Sequence, residues 1–130
     1  MKYAYTAVLT PAETGGYFAR VPDLPGCITA GSTLPETLDL IADAAAGWLT
    51  VAEDKGMPIA PPTGQRDIPH DADAILSVVT VDTLAYRAET DTRAVRKNVS
   101  LPAWMASMAD KRNLNCSQLL QDALRAALGG

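Results

Sequence analysis

The last third of the chain, residues 95–128, is too short to fold around a core of its own. Its sequence predicts a short strand followed by two amphipathic helices, which separate at Asn113-Leu114-Asn115. A segment of this length buries too little apolar surface to offset the conformational entropy that it loses on folding. We therefore expect it to fold as one half of an intertwined dimer, in which the strands of two chains pair into a ribbon.

Side chains alternate along a strand, and this alternation places polar groups on one face of the predicted ribbon. Arg96, Asn98 and Ser100 share that face. Arginine donates to guanine, asparagine pairs with adenine and serine is adaptable, so the ribbon fits the major groove of DNA. For these three side chains taken alone, an ordinary solvated strand face is the alternative. The opposite face carries Val95, Val99, Leu101 and the stem of Lys97.

The first helix of this segment starts at Pro102, which stops the strand and suits a first helical turn. We expect the helix to run to about Arg112. Leu101, Met105 and Met108 recur at spacings of four and three and therefore mark its inner face.

The second helix is predicted to begin at Asn115, an N-cap with Gln118 three residues further on. Free N–H groups in its first turn form an anion site suited to a DNA phosphate. We expect the helix to end before Gly129. Its inward residues are Cys116, Leu120, Ala123, Leu124 and Ala127. The expected DNA contacts are Arg96, Lys97, Asn98, Ser100, Asn115, Cys116 and Ser117.

Charge divides the chain in the same way. Residues 1–86 contain four basic and eleven acidic side chains, a net charge of −7, whereas residues 87–130 contain seven basic and four acidic ones, a net charge of +3. Contact with phosphates favours a basic module. The acidic front part argues against nucleic acid there and favours a basic protein partner.

Composition excludes several other classes of protein. The hydrophobic content of 48% suits a globular fold. No stretch approaches the ~20 apolar residues of a membrane span, and no signal-peptide pattern opens the chain, so we expect a cytoplasmic protein. Cys27 and Cys116 are far apart and are expected to be reduced, buried thiols. His70 is the single histidine, so neither a metal site nor a cofactor is expected.

The sequence pattern of the front part predicts a small sheet with one helix across it. This is an α+β arrangement in the order β-β-β-α-β. The helix begins at a capping box of Thr33 and Glu36 and runs to about Asp54. One face of the sheet is expected to stay open as a docking surface. The predicted strands are Lys2–Leu9, Tyr17–Val21, Cys27–Ala30 and Ala74–Val81, and the inward helix positions are Leu34, Leu38, Ile41, Ala45, Trp48 and Ala52.

Two stretches lack a regular pattern. Residues 57–73 are rich in Pro, Gly and Asp and predict an irregular connection, whereas Thr83–Arg93 is polar and predicts a linker. We therefore expect a front domain at 1–82, a linker at 83–93 and a tail domain at 94–130.

The front domain resembles a known family. Residues Tyr17–Cys27 contain Pro-Asp-Leu-Pro-Gly-Cys and, with Thr29, Gly31 and Glu36, resemble the signature of HicB-family antitoxins. This resemblance implies a partly trimmed ribonuclease H-like sheet. It also implies a partner, a small HicA-type toxin that cleaves RNA with a catalytic histidine and whose active surface the antitoxin covers.

The tail resembles the ribbon-helix-helix tail of one branch of that family, at Arg96–Trp104 and Asn115–Gln118. This resemblance implies that the antitoxin, alone or with its toxin, binds operator DNA and represses its own operon. We also expect the front domains to pair, which would make a dimer of dimers. The alternative function is a free-standing transcriptional regulator whose front domain senses a ligand or oligomerises.

The expected toxin contacts lie in and beside the proline-rich turn, at Asp23, Leu24, Pro25 and Tyr17. The alternative is that Pro22–Gly26 is a hairpin device with no contact role. A minimal metal-dependent hydrolase is a third interpretation, but such chemistry needs carboxylates that converge on metal ions. Four acids of the helix fit a solvated face instead: Asp39, Asp43, Glu53 and Asp54. No catalytic residue is therefore expected.

Overall fold

Four strands and one long helix follow one another in the order β-β-β-α-β that the sequence predicts. In this computed structural model, which describes residues 1–129, the chain divides into a front unit, Lys2–Thr90, and a tail unit that begins at Asp91. The elements of the front unit are β1 (Lys2–Pro11), β2 (Tyr17–Arg20), β3 (Ile28–Gly31), α1 (Leu34–Lys55) and β4 (Ile75–Asp82).

The sheet is antiparallel throughout, in the order β3-β2-β1-β4. Leu9 of β1 lies opposite Ala19 of β2, and Tyr5 of β1 lies opposite Val79 of β4. Because side chains alternate, these residues all face α1 and form the core with it. The helix contributes Ile41, Ala45, Ala46 and Leu49 to that core.

The other face of the sheet carries exposed apolar side chains, as the sequence predicts for an open face. Phe18 of β2, Ile28 of β3 and Val78 of β4 are all exposed. Val8 lies between them on β1 and is buried by its neighbours.

Helix α1 begins and ends as its sequence predicts. The Thr33 side chain accepts a hydrogen bond from the Glu36 N–H, and Glu36 in turn accepts one from the Ser32 N–H. Gly56 ends the helix at a positive φ of 64°, a conformation that glycine adopts without strain. Of the predicted inward positions, Ile41, Ala45 and Ala52 are buried, whereas Leu34, Leu38 and Trp48 are only partly buried.

The predicted linker is wrong over its first eight residues, because Thr83–Thr90 form a helix, α2. Asp82 caps this helix: its side chain accepts hydrogen bonds from the N–H groups of Leu84 and Ala85. The helix packs against α1 and belongs to the front unit, so the boundary between the units falls after Thr90.

A polar network on the side of α1 holds α2 in place. Arg87 donates to Asp54 at 2.8 Å and to Glu53 at 3.1 Å, and Tyr3 and Thr83 also donate to Glu53. Burial alone would raise the pKa of Glu53, but the hydrogen bonds from Tyr3, Arg87 and Thr83 outweigh it and lower that pKa. Burial, together with the Glu53 carboxylate, raises the pKa of Tyr3 to about 12.

The connection between α1 and β4 is irregular, as predicted, apart from a short 3-10 turn at Gln65–Asp67. It is nevertheless fixed to the sheet. Tyr5 donates a hydrogen bond to the Ala60 carbonyl, Arg20 donates to the Pro69 carbonyl at 2.9 Å, and Ile68 is buried.

The tail unit contains two helices, α3 (Ala103–Lys111) and α4 (Cys116–Gly129), close to the predicted bounds. Asn113 adopts a positive φ of 53° in the turn between them. The predicted strand at 95–101 is not formed in the single chain, where Asp91–Pro102 has no regular secondary structure. A strand needs a partner, and the prediction placed that partner in a second chain. Within residues 1–129 no helix is long and apolar enough to cross a membrane.

We predict that Arg87→Ala lowers the free energy of unfolding by about 1 kcal/mol, because two carboxylates lose their charged hydrogen-bond donor. Urea unfolding measures the change. The Glu53 part of the effect is fully present above the ordinary pKa of glutamate. It is lost as the pH falls through the lowered pKa of folded Glu53.

Arg66→Ala is the control for this prediction, since it removes the same charge from the exposed 3-10 turn. An Arg87→Ala protein as stable at neutral pH as the Arg66→Ala protein would contradict the role of the network.

Candidate functional site

The polar residues expected to contact DNA lie on the exposed segment that precedes α3. Arg96, Lys97, Asn98 and Ser100 are all exposed there. The single chain does not gather them on one strand face, because the backbone of Asp91–Pro102 is irregular. Their placement on a ribbon therefore stays a prediction.

The start of α4 has the predicted cap. The Asn115 side chain accepts a hydrogen bond from the Gln118 N–H at 3.0 Å. N–H groups in a first helical turn have no partner within the helix and favour an anion. Cys116 and Ser117 lie in that turn and are exposed. The prediction that Cys116 is buried is therefore wrong for the single chain, whereas Cys27 is buried and its burial raises its pKa.

The tail unit presents an apolar groove of about 510 Å³, which we call the tail groove. Neither tail helix contains a buried residue, so this apolar surface is not covered within the tail. Full burial of a leucine or methionine side chain is worth about 1.5–3 kcal/mol, so several such side chains provide a strong drive toward a covering surface. Its apolar lining includes Val99, Leu101, Trp104, Met105, Met108, Leu114, Leu119 and Leu120.

The proline-rich turn of the front unit is built into the fold. Val21 and Cys27 are joined across it by a backbone hydrogen bond of 3.0 Å, and Trp48 of α1 donates to the Pro25 carbonyl at 2.9 Å. Leu24 is fully buried in the core. Its expected role as a toxin contact is therefore wrong, since its side chain offers no surface to a partner.

Asp23 also has an internal role that its sequence does not reveal. Its carboxylate accepts hydrogen bonds from the N–H of Thr63 at 2.8 Å and from the hydroxyl of Thr63 at 2.6 Å. The two residues are forty positions apart, so no local pattern could have indicated the contact. Asp23 and Tyr17 are partly buried and Pro25 is exposed, so three of the four expected toxin contacts keep accessible surface.

The described residues do not assemble a metal site: no three His, Cys, Asp or Glu side chains within residues 1–129 lie together in a way that could hold an ion. His70 is exposed, and its Nδ1 lies 2.9 Å from the Asp71 carbonyl oxygen. On α1, Asp39 and Asp43 are exposed.

Comparison with known proteins identifies relatives of both units. Residues 5–123 match the family model described as the HicB-like antitoxin of bacterial toxin-antitoxin systems. The antitoxin HicB 1 of Photorhabdus laumondii is 36% identical over 69 residues, which are 50% of this chain and 44% of that protein. The chain thus spans less than half the length of this relative.

Two solved structures share the fold over nearly the whole chain. A toxin-antitoxin complex from Streptococcus pneumoniae has a TM-score of 0.61 at 20% identity, with 98% of this chain and 99% of that chain covered. The antitoxin HicB of Burkholderia pseudomallei has a TM-score of 0.56 at 22% identity, with 97% and 98% covered.

The contact between Asp23 and Thr63 generates a prediction for the front unit. We expect Asp23→Ala to raise the hydrogen-exchange rate of the Thr63 amide about tenfold, because the amide loses a charged acceptor. Amide exchange followed by NMR measures this. Asp73→Ala removes an exposed acid from the same connection and should leave Thr63 unchanged. Equal rates in the parent and in Asp23→Ala would mean that the contact does not fix the connection.

Proposed function

The chain belongs to the HicB-like antitoxin family of bacterial toxin-antitoxin systems, and on that premise we propose that it neutralises a HicA-type toxin that cleaves mRNA. We further propose that it represses its own operon by binding operator DNA. The observation that carries the proposal is that the family match runs through both units, one acidic and one basic.

The front unit is the part that we assign to the toxin. A toxin that acts on RNA needs a basic surface to bind its substrate. The front part of the chain, with its net charge of −7 over residues 1–86, complements such a surface and repels RNA. Binding of the two surfaces then denies RNA access to the toxin. In this role the front unit acts by occupying the surface and needs no catalytic residue.

The tail unit is the part that we assign to DNA. Two tails that cover each other's apolar grooves bury surface that a single tail leaves exposed. In such a dimer the segments that carry Arg96, Asn98 and Ser100 pair as a ribbon-helix-helix strand pair and present these side chains to base edges. The exposed turn at Cys116 and Ser117 then receives a phosphate. Two-fold symmetry in the protein requires a two-fold symmetric operator.

We predict that the tagged full-length chain, purified from its native cells, carries a small basic protein in near-equal amount. Expression of that protein alone, the candidate toxin, should stop growth and degrade mRNA, and co-expression of the chain should restore growth. If no such protein is recovered while operator DNA is, a free-standing regulator explains the chain better. If the recovered protein does not harm growth, the antitoxin function is wrong.

For DNA, we predict that Arg96→Ala or Asn98→Ala lowers discrimination between operator and random DNA by ~1–3 kcal/mol each, with the fold intact. The DNA upstream of the chain's own gene serves as operator, and fluorescence anisotropy titrations measure both affinities. Each variant loses a side chain that hydrogen-bonds to base edges.

Arg125→Ala is the control, since it removes the same charge from the exposed surface of α4. It should weaken binding to both DNAs equally. Unchanged discrimination in both the Arg96→Ala and Asn98→Ala proteins would contradict the ribbon assignment.

A further inference from the structure

A second groove, of about 420 Å³, runs along α1 on the front unit, between the proline-rich turn and α2. We call it the α1 groove. Helix α1 supplies half of its lining residues, β3 and the turn supply one rim, and α2 supplies the other. Its principal side chains are Ile28, Asp43, Trp48, Val51, Met57 and Tyr86.

The side chains around this groove are more apolar and more exposed than folding alone requires. Val51 is 48% exposed and Met57 is 44% exposed, and both line the groove; Ile28, which is 71% exposed, lies at the β3 rim and also lines the open face of the sheet. Large apolar side chains that are exposed around one groove form a surface that favours burial against another molecule.

Tyr86 of α2 lies close to α1 at Gly47. A side chain on Gly47 would place its Cβ 3.4 Å from the hydroxyl oxygen of Tyr86. That is an ordinary contact distance, and it places Tyr86 at the α2 rim of the groove. The rim on the other side is formed at β3, an edge strand of the sheet, so a partner can approach Ile28 without displacing another strand.

The charge around the groove selects the kind of partner. Asp43 lines the groove, and Glu36 and Asp39 lie further along the same exposed side of α1. The described residues that line the groove include no lysine or arginine. The nearby cation of α2, Arg87, is already held by Glu53 and Asp54. The groove therefore combines apolar contact with a local negative potential.

We propose that the α1 groove is the docking site of the basic toxin protein, an inference that rests on the proposed function. An amphipathic segment of the toxin places its apolar side chains against Val51 and Met57. Its flanking lysines or arginines lie against Asp43 and Asp39. Apolar burial provides the affinity, and the charges steer the basic protein to this side of the front unit.

The open face of the sheet is a poorer site for such a partner. Its depression is lined by Val8, Phe18, Arg20 and Ile28 among others, with one cation and no acid in the described lining. A basic protein meets no complementary charge there. The two surfaces therefore make different predictions for matched substitutions.

Two pairs of variants of the whole chain distinguish docking at the α1 groove from docking at the open sheet face. Val51→Arg places a cation in the α1 groove, and Val78→Arg places one on the open sheet face at a residue of similar exposure, 48% against 55%. Asp43→Lys reverses a charge in the groove, and Asp73→Lys makes the same change on the irregular connection. The probe is the purified candidate toxin, titrated by calorimetry, with circular dichroism melts to confirm that each variant folds.

We expect Val51→Arg and Asp43→Lys each to weaken toxin binding at least about tenfold, while Val78→Arg and Asp73→Lys stay within about threefold of the parent. Equal affinities for the parent and all four variants would contradict docking at the α1 groove, whereas the proposed antitoxin function would be unaffected. Loss of binding in the Val78→Arg protein alone would contradict docking at the α1 groove and would favour docking at the open sheet face. If the parent chain itself does not bind the candidate toxin, both the proposed function and docking at the α1 groove are contradicted.

Discussion

The apolar face of the tail unit has to be covered by something other than the tail itself. Its two helices contain no buried residue, and the tail groove between them is lined by leucine, methionine and tryptophan side chains. A second copy of the same tail is the covering surface that the sequence predicts. The proposed DNA function depends on this pairing, because it would align the segments that carry Arg96 and Asn98. It would also bring two front units together on one operator.

The front unit differs from the tail because it has a core of its own. Helix α1 buries Ile41, Ala45 and Leu49 against the sheet, and α2 is fixed to α1 by Arg87. The front unit can therefore keep a well-defined acidic surface by itself, whereas we propose that the tail completes its structure by pairing with a second chain. In the proposed function, recognition of a basic protein and recognition of DNA fall to units of opposite charge, which disfavours binding of either partner to the wrong unit.

Sequence reasoning succeeded where the signal is local. The capping box at Thr33 and Glu36 and the cap at Asn115 both form as predicted, because each needs only residues three positions apart. It failed where the structure depends on distant contacts. Helix α2 was missed because Arg87, which stabilises it, pairs with acids more than thirty residues away. The sequence also does not show on which side of the turn Leu24 lies, so it does not distinguish a core residue from a contact residue there.

We propose that the tail folds only by pairing with a second chain, and the two tryptophans allow a direct test. Trp48 lies in the front unit and Trp104 in the tail. In a Trp48→Phe protein, the fluorescence of Trp104 reports unfolding of the tail alone. If the tail folds by pairing, its thermal midpoint rises with protein concentration, as mass action requires for a dimer. A Trp104 transition with the same midpoint at every concentration would show that the tail folds within one chain and does not depend on pairing.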